Sequence, residues 1–374
     1  MSASSFLTAY AAEIGRSLAH DFDDNFDAER FGPEGRAGGV GARARRGVHA
    51  ALRAVKLQRV GISAAVFETA VGYIDGFGSR LEWLFRKLGD DESRDLLVKL
   101  VAYRALGHRR VRLPLSTPEF WAGFQALKSQ ALTGETIPAQ FMDWNLHQLN
   151  LQSLGATTRL FSTPMGAYVQ FGLQQCRCAT STGAIEARRG NFVIDGGGGW
   201  GDTALYFAAR TGELGRVATF EFLPANLETM ARNLALNPEL ARPIEIVRRA
   251  LWHHSDQELW FRAFGPGTTV TDRAGDANSL RTISLSIDDF MAGGNWPRLD
   301  FIKLDIEGAE LAALQGAETT LRKFRPQLAI ALYHRFEDFF TLPAFVDDLG
   351  LNYQMYLRHF TIHGEETMLF ARVR

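Results

Sequence analysis

The sequence predicts an α/β fold: a mostly parallel sheet with helices on both faces and a C-terminal β-hairpin, preceded by a mainly helical N-terminal extension. Three observations predict it. From residue 191 onward, short apolar strands alternate with helical segments, the pattern of a parallel sheet covered by helices. The first of those strands runs straight into a glycine-rich loop that opens a helix. The last two strands are joined only by His363-Gly-Glu-Glu366, too short for a parallel crossover, so they form a hairpin and one of them runs antiparallel.

The elements follow in chain order. Residues 4–20 read as a helix because Phe6, Tyr10, Ile14 and Leu18 recur every four residues behind Ser4 and Ser5 as N-caps. An acidic run from Asp21 to Glu29 leads into a Gly/Arg-rich stretch over 32–47, expected to be a flexible, solvated loop. Residues 48–106 look mainly helical, with one helix starting at Ser93 and ending before Gly107. Val111, Leu113 and Leu115 alternate like a short strand, and Thr117-Pro118 opens a further short helix. Residues 156–190 suggest short strands and turns, at 159–162 and 167–171. Strands are then expected at 192–195, 216–222, 244–251, 283–287, 300–305, 328–333, 353–362 and 367–373. Helices are expected from 202 and at 225–236, 309–323 and 336–349. A Gly/Pro-rich excursion at 264–280 interrupts this alternation. The division that results is 1–155 for the extension and 156–374 for the sheet domain.

Composition narrows the function. The chain has 374 residues, about two domains' worth, and 46% of them are hydrophobic, as in an ordinary globular protein. Net charge is −1, so nothing pulls the whole chain toward nucleic acid or an anionic membrane, and neither is expected as a partner. Cys176 and Cys178 are the only cysteines; one Cys-x-Cys pair completes neither a disulfide framework nor a zinc site. No signal-peptide pattern or bilayer-length apolar run is visible, so a cytoplasmic protein is expected.

Glycine is in excess, at 36 residues, and much of the excess that matters lies in Asp195-Gly-Gly-Gly-Gly-Trp-Gly201-Asp202. The loop fits two templates. Gly196, Gly198 and Gly201 make G-x-G-x-x-G, with Glu221 twenty residues further on, which is a dinucleotide fingerprint. Gly197, Gly199 and Gly201 make G-x-G-x-G behind an acidic strand end, the S-adenosylmethionine pattern. Asp195 separates the two. A carboxylate at that strand end repels a pyrophosphate but favours the ammonium and sulfonium of S-adenosylmethionine. Glu221 can accept the ribose hydroxyls of either cofactor.

Three segments carry a family resemblance: Val193-Ile-Asp-Gly-Gly-Gly-Gly-Trp-Gly-Asp-Thr203, Thr219-Phe-Glu-Phe-Leu-Pro-Ala-Asn226 and Asp300-Phe-Ile-Lys-Leu-Asp-Ile-Glu-Gly-Ala-Glu310. Together they resemble the FkbM family of S-adenosylmethionine-dependent methyltransferases. The likeness continues through Leu314–Glu318 and Arg325–His334 and covers roughly residues 190–374. The family commonly has Asn where Gly199 stands and Pro where Phe222 stands. The resemblance implies a class I methyltransferase-like, Rossmann-like sheet, S-adenosyl-L-methionine as cofactor, and O-methylation of a hydroxyl on a sugar, glycan or polyketide-like acceptor.

Ligands of open α/β sheets bind beyond the carboxyl ends of the strands. The residues expected there for the cofactor are Asp195, Gly197, Gly199, Gly201, Glu221, Ala250, Leu251 and Asp305, with Trp252, His253 and His254 beside the adenine. An alcohol acceptor must lose a proton, so a general base helps. His334, at the end of a neighbouring strand, is the expected base, and Asp305 is expected to orient the cofactor amine or the acceptor. Asp305, Glu307 and His334 offer hard metal donors, but their spacing is not diagnostic, and no metal is expected. The alternatives are an NAD-dependent oxidoreductase and a catalytically silent cofactor-binding module.

Overall fold

The computed structural model describes residues 5–32, 59–141, 143–275, 278–294 and 296–374. Apart from Gly32, the Gly/Arg loop expected over 32–47 lies outside the described residues. Backbone contacts divide the chain into two units: Met1–Thr117 with Thr361–Glu365, and Pro118–Phe360 with Glu366–Arg374. The division expected at 155/156 instead falls inside a small antiparallel sheet. There Asn145–Asn150 pairs with both Leu132–Pro138 and Arg159–Ser162, so the strands on either side of residue 155 belong together.

The first unit is helical. Helix Phe6–Ser17 buries Phe6, Tyr10 and Ile14 on one stripe, and the Ser5 hydroxyl accepts a hydrogen bond from the Thr8 amide. Helix Asp91–Leu106 begins two residues before the expected Ser93, because the Asp90 carboxylate accepts from the Ser93 amide at 2.9 Å and is the true cap. It ends at Gly107, whose φ of 77° suits glycine. The strand expected at 111–115 is absent. The Asn25 side chain donates to the carbonyls of His108 and Val111, at 2.6 and 2.8 Å, and holds this stretch as a loop.

The second unit is built on a seven-stranded sheet. Its spatial order is Tyr353–His359, Thr367–Val373, Gln327–Ala331, Phe301–Leu304, Phe192–Gly196, Arg216–Phe220 and Ile244–Val247. The last five of these pair in parallel. Thr367–Val373 is antiparallel to both of its neighbours. Phe192–Gly196 and Phe301–Leu304 are buried along almost their whole length, which is why they are apolar apart from Asp195 and Lys303. The register sets Lys303, Asp195 and Thr219 in one row across three strands.

Three local expectations are corrected in this unit. Residues 167–171 are helical rather than extended, because Thr163 caps a turn that begins with Pro164 and continues to Gly172. The segment expected as one strand at 244–251 is two pieces, Ile244–Val247 and Ala250–Leu251, and the second joins a separate four-stranded sheet. The single helix expected at 309–323 is broken into Glu310–Gln315 and Glu318–Phe324.

Candidate functional site

The glycine loop crosses the carboxyl ends of the two central strands. Gly197 has φ of 80°, and a Cβ there would lie 2.0 Å from the Asp305 carbonyl oxygen, so only glycine lets the two strand ends meet. Gly199 differs. Its φ is 49°, yet nothing lies within 4 Å of where its Cβ would stand. That left-handed, open position also suits the Asn common in the family resemblance. Trp200 anchors the loop, buried in a cluster with Leu146 and Phe161, while the Asn233 side chain donates to its carbonyl at 2.8 Å.

Beside this loop is a pocket lined by Gly197, Glu221, Ala250, Leu251 and Asp305, five of the eight residues expected to bind cofactor. Glu221 is held rigidly. Its Oε1 accepts from the amides of Phe222 and Leu223, both at 2.7 Å, and its Oε2 from the Asn226 side chain at 3.0 Å. Burial raises the Glu221 pKa, and these hydrogen bonds oppose the rise. Asn226 lines the pocket too and orients the glutamate, a role for which the sequence offered only its place in the motif. The opposite wall comes from the Gly/Pro-rich excursion, through Gly265, Pro266, Thr268 and Val270. Sequence reasoning treated that excursion as an interruption; its glycines and prolines marked a loop but not its destination.

Gly199 and Gly201 shape the loop without lining the pocket. Asp195 requires a correction. It is fully buried beneath the loop, with Lys303 Nζ 3.3 Å from Oδ1, and its Oδ2 accepts from the hydroxyls of Thr203 and Thr219 at 2.8 and 2.9 Å. Its charge is balanced within the protein rather than presented to a ligand. Lys303 also donates to the carbonyls of Gly196 and Gly197, at 3.1 and 2.8 Å, and so ties the loop to the neighbouring strand. Burial alone would lower the Lys303 pKa, but the carboxylates of Asp195 and Asp305 more than offset this and hold it charged. The signal for Lys303 was present: a lysine inside the apolar strand Phe301–Leu304 needs a buried partner.

A second recess adjoins the pocket and is lined by Trp252, Thr269, Val270, Glu307, His334 and Arg335 among others. Val270 and Glu307 line both spaces. His254 and His253 line neither, and Trp252 lines the recess rather than the pocket with Ala250 and Leu251. Asp305 lines the pocket but not the recess. It accepts from the Tyr333 hydroxyl at 2.9 Å, and its Oδ1 lies 3.3 Å from His334 Nε2. Burial would raise its pKa, but His334 and Lys303 prevail and draw it down to about 2.

His334 is not placed as a free base. Nε2 faces Asp305 at 3.3 Å and Glu307 at 3.4 Å, and Nδ1 faces Glu310 at 3.0 Å. Both ring nitrogens are buried, so neither opens onto the recess. Burial opposes a charge on the ring, but the three carboxylates prevail and push its pKa well up. The expectation that His334 removes the acceptor proton is therefore corrected. Glu307 is the carboxylate exposed to both spaces, on a turn where its own φ is 55° and that of Gly308 is 92°.

A glycine loop after the first parallel strand, an acidic end to the second, and a pocket between them define an α/β nucleotide-cofactor domain. Residues 184–360 match the family model described as the methyltransferase FkbM domain. That region, just under half of the chain, is therefore similar to the FkbM methyltransferase family. A comparison with curated proteins finds no match. Among solved structures, methyltransferase FkbM from Methylobacillus flagellatus is similar at 18% identity and a TM-score of 0.48, over 81% of this chain and 62% of that one. Fibrillarin from Aeropyrum pernix, in complex with natively bound S-adenosyl-L-methionine, is similar at 15% identity and a TM-score of 0.37, over 61% of this chain and 90% of that one. An S-adenosylmethionine-dependent O-methyltransferase from Thermotoga maritima is similar at 12% identity and a TM-score of 0.34, over 64% of this chain and 77% of that one. No helix among the described residues is long and apolar enough to cross a membrane.

Proposed function

We propose that the protein is an S-adenosylmethionine-dependent O-methyltransferase acting on a hydroxyl of a sugar, glycan or polyketide-like small molecule. The observation that carries this reading is the pair of joined spaces: a pocket walled by Gly197, Glu221, Ala250, Leu251 and Asp305, opening beside a recess walled by Trp252, Glu307 and His334. In this reading Glu221 accepts the ribose hydroxyls, Ala250 and Leu251 flank the adenine, and Asp305 faces the cationic end of the cofactor.

Methyl transfer breaks the carbon–sulfur bond and forms a carbon–oxygen bond, and the acceptor hydroxyl loses its proton. Positioning supplies much of the acceleration. Glu307, shared by both spaces, is the group placed to take that proton. His334 holds Glu307 and Asp305 in position. The acceptor belongs in the recess, where the half-buried Trp252 offers an aromatic wall to a sugar ring or macrocycle.

Isothermal titration with S-adenosylhomocysteine tests the cofactor half. Binding to the intact chain and a loss of more than tenfold in Glu221→Ala are expected; equal binding by both proteins overturns the assignment. Incubation with labelled S-adenosylmethionine and a cell extract, followed by identification of the labelled product, tests the acceptor class. Label on a nitrogen or carbon atom, rather than on a hydroxyl oxygen, would remove it.

A further inference from the structure

The cluster around His334 is more than a histidine with counter-ions. Asp305, Glu307 and Glu310 come from the turn and helix start that follow Phe301–Leu304, and all three present carboxylate oxygens to one imidazole at 3.0–3.4 Å. Neither ring nitrogen makes a well-aligned hydrogen bond to them, although all three carboxylates act on its charge. Glu310 sharpens the point. Its side chain is only 1% exposed; Oε1 accepts from the Ile306 amide at 2.8 Å, but Oε2 is buried with no hydrogen-bond partner. A buried carboxylate oxygen without a donor is costly unless a cation compensates it, and here that cation is either a protonated His334 or a bound ion.

The spacing also lies near what an ion would require, with a small inward movement of the donors on binding. Donor atoms of Asp305, Glu310 and His334 all lie within 4.8 Å of one another. In a six-coordinate site with bonds near 2.1 Å, adjacent ligands stand about 3 Å apart and opposite ones roughly 4.2 Å apart. Lys303, whose charge also acts on Asp305, is already committed to Asp195 and to the carbonyls of Gly196 and Gly197. Carboxylate oxygens with one imidazole and no thiolate make a hard donor set, suited to magnesium or manganese.

We infer that Asp305, Glu310 and His334 bind one hard divalent cation, Mg²⁺ or Mn²⁺, at the junction of the cofactor pocket and the recess, with Glu307 flanking it on the recess side. The inference rests on the methyltransferase reading only for its purpose. A cation there would fix the acceptor oxygen and make its hydroxyl more acidic, which would let a carboxylate such as Glu307 serve as base.

The test uses the full chain, stripped with a chelator, and Mn²⁺ alone as the probe, followed by loss of the free Mn²⁺ electron paramagnetic resonance signal and by calorimetry. One saturable Mn²⁺ site, displaced by Mg²⁺, is expected. Glu310→Gln and His334→Gln should each weaken it by about 10- to 100-fold. Circular dichroism melts check that these buried variants fold, and if they do not, Glu307→Gln, whose side chain is 28% exposed, serves instead and should weaken Mn²⁺ several-fold. No saturable Mn²⁺ binding, or the same affinity in every folded variant, overturns the inference, and a proton on His334 then fills the cation's place. S-adenosylhomocysteine separates the two readings. A chain that binds it but not Mn²⁺ loses the ion site and keeps the methyltransferase reading. A chain that binds Mn²⁺ but not S-adenosylhomocysteine keeps the ion site and loses that reading.

Discussion

Lys303 illustrates how one residue both balances a buried charge and ties down a loop. Its ammonium, 3% exposed, neutralises a fully buried aspartate and is hydrogen-bonded to the first two carbonyls of the glycine loop. Removing one partner of such a pair strands the other charge in a low-dielectric interior, at about 3–5 kcal/mol. Lys303→Met should therefore lower stability by that order in a urea titration and weaken S-adenosylhomocysteine. Lys303→Met with Asp195→Asn should recover part of the stability, since no bare charge remains, but not the cofactor affinity, since the loop stays untied. Full recovery of both would show that Lys303 has no role in holding the loop. Asp195 was legible in the sequence as a strand-end carboxylate beside glycines. Its partner was not, because the pair is made between strands and nothing local records which lysine faces which aspartate.

At the scale of elements, the breaks matter as much as the elements. The helix after Asp305 stops at Gly316, where the missing side chain lets the chain approach the Trp252 carbonyl oxygen: a Cβ there would lie 2.2 Å from it. Asp288, from another helix, then accepts from the amides of Thr319 and Thr320, at 3.0 and 2.7 Å, and restarts the chain as a second helix. Helical periodicity through 309–323 was real, but the close approach and the cap come from distant residues. The excursion over 264–270 is likewise placed by contact. The rings of Phe264 and Phe141 meet edge to face at 4.7 Å, and a Cβ at Gly265 would lie 2.4 Å from the Phe141 ring. This packing sets Gly265 and Pro266 into the wall of the pocket that holds Glu221. Phe264 is 56% exposed, so Phe264→Ser should cost little stability. It should still weaken S-adenosylhomocysteine several-fold in calorimetry, because the wall loses its anchor. An unchanged affinity would mean the excursion contributes nothing to the pocket.

At the scale of the whole molecule, the final strand lies inside the sheet, one strand in from its edge. Thr367–Val373 pairs with Gln327–Ala331 on one side and with Tyr353–His359 on the other. Met368, Leu369, Phe370 and Ala371 are all fully buried. Deleting residues 367–374 should therefore remove two ladders and a core layer, and abolish the cooperative thermal transition read by circular dichroism. A truncated chain that melts like the intact one would contradict this placement.

The sequence by itself determined what is local in origin. Strand–helix alternation announced a parallel sheet, a glycine run after a strand marked a tight loop at the sheet edge, and a short link required a hairpin. Each of these depends on periodicity, backbone freedom or loop length, and all three are written within a few neighbouring residues. The tertiary structure decided which groups meet. It slotted the last strand inside the sheet, gave Asp195 to Lys303, folded 264–270 over the pocket, and surrounded His334 with three carboxylates. The physical reason is shared by all four. Hydrogen-bond ladders, buried charges and close packing are satisfied between residues far apart in the chain, and their energies depend on distance in space.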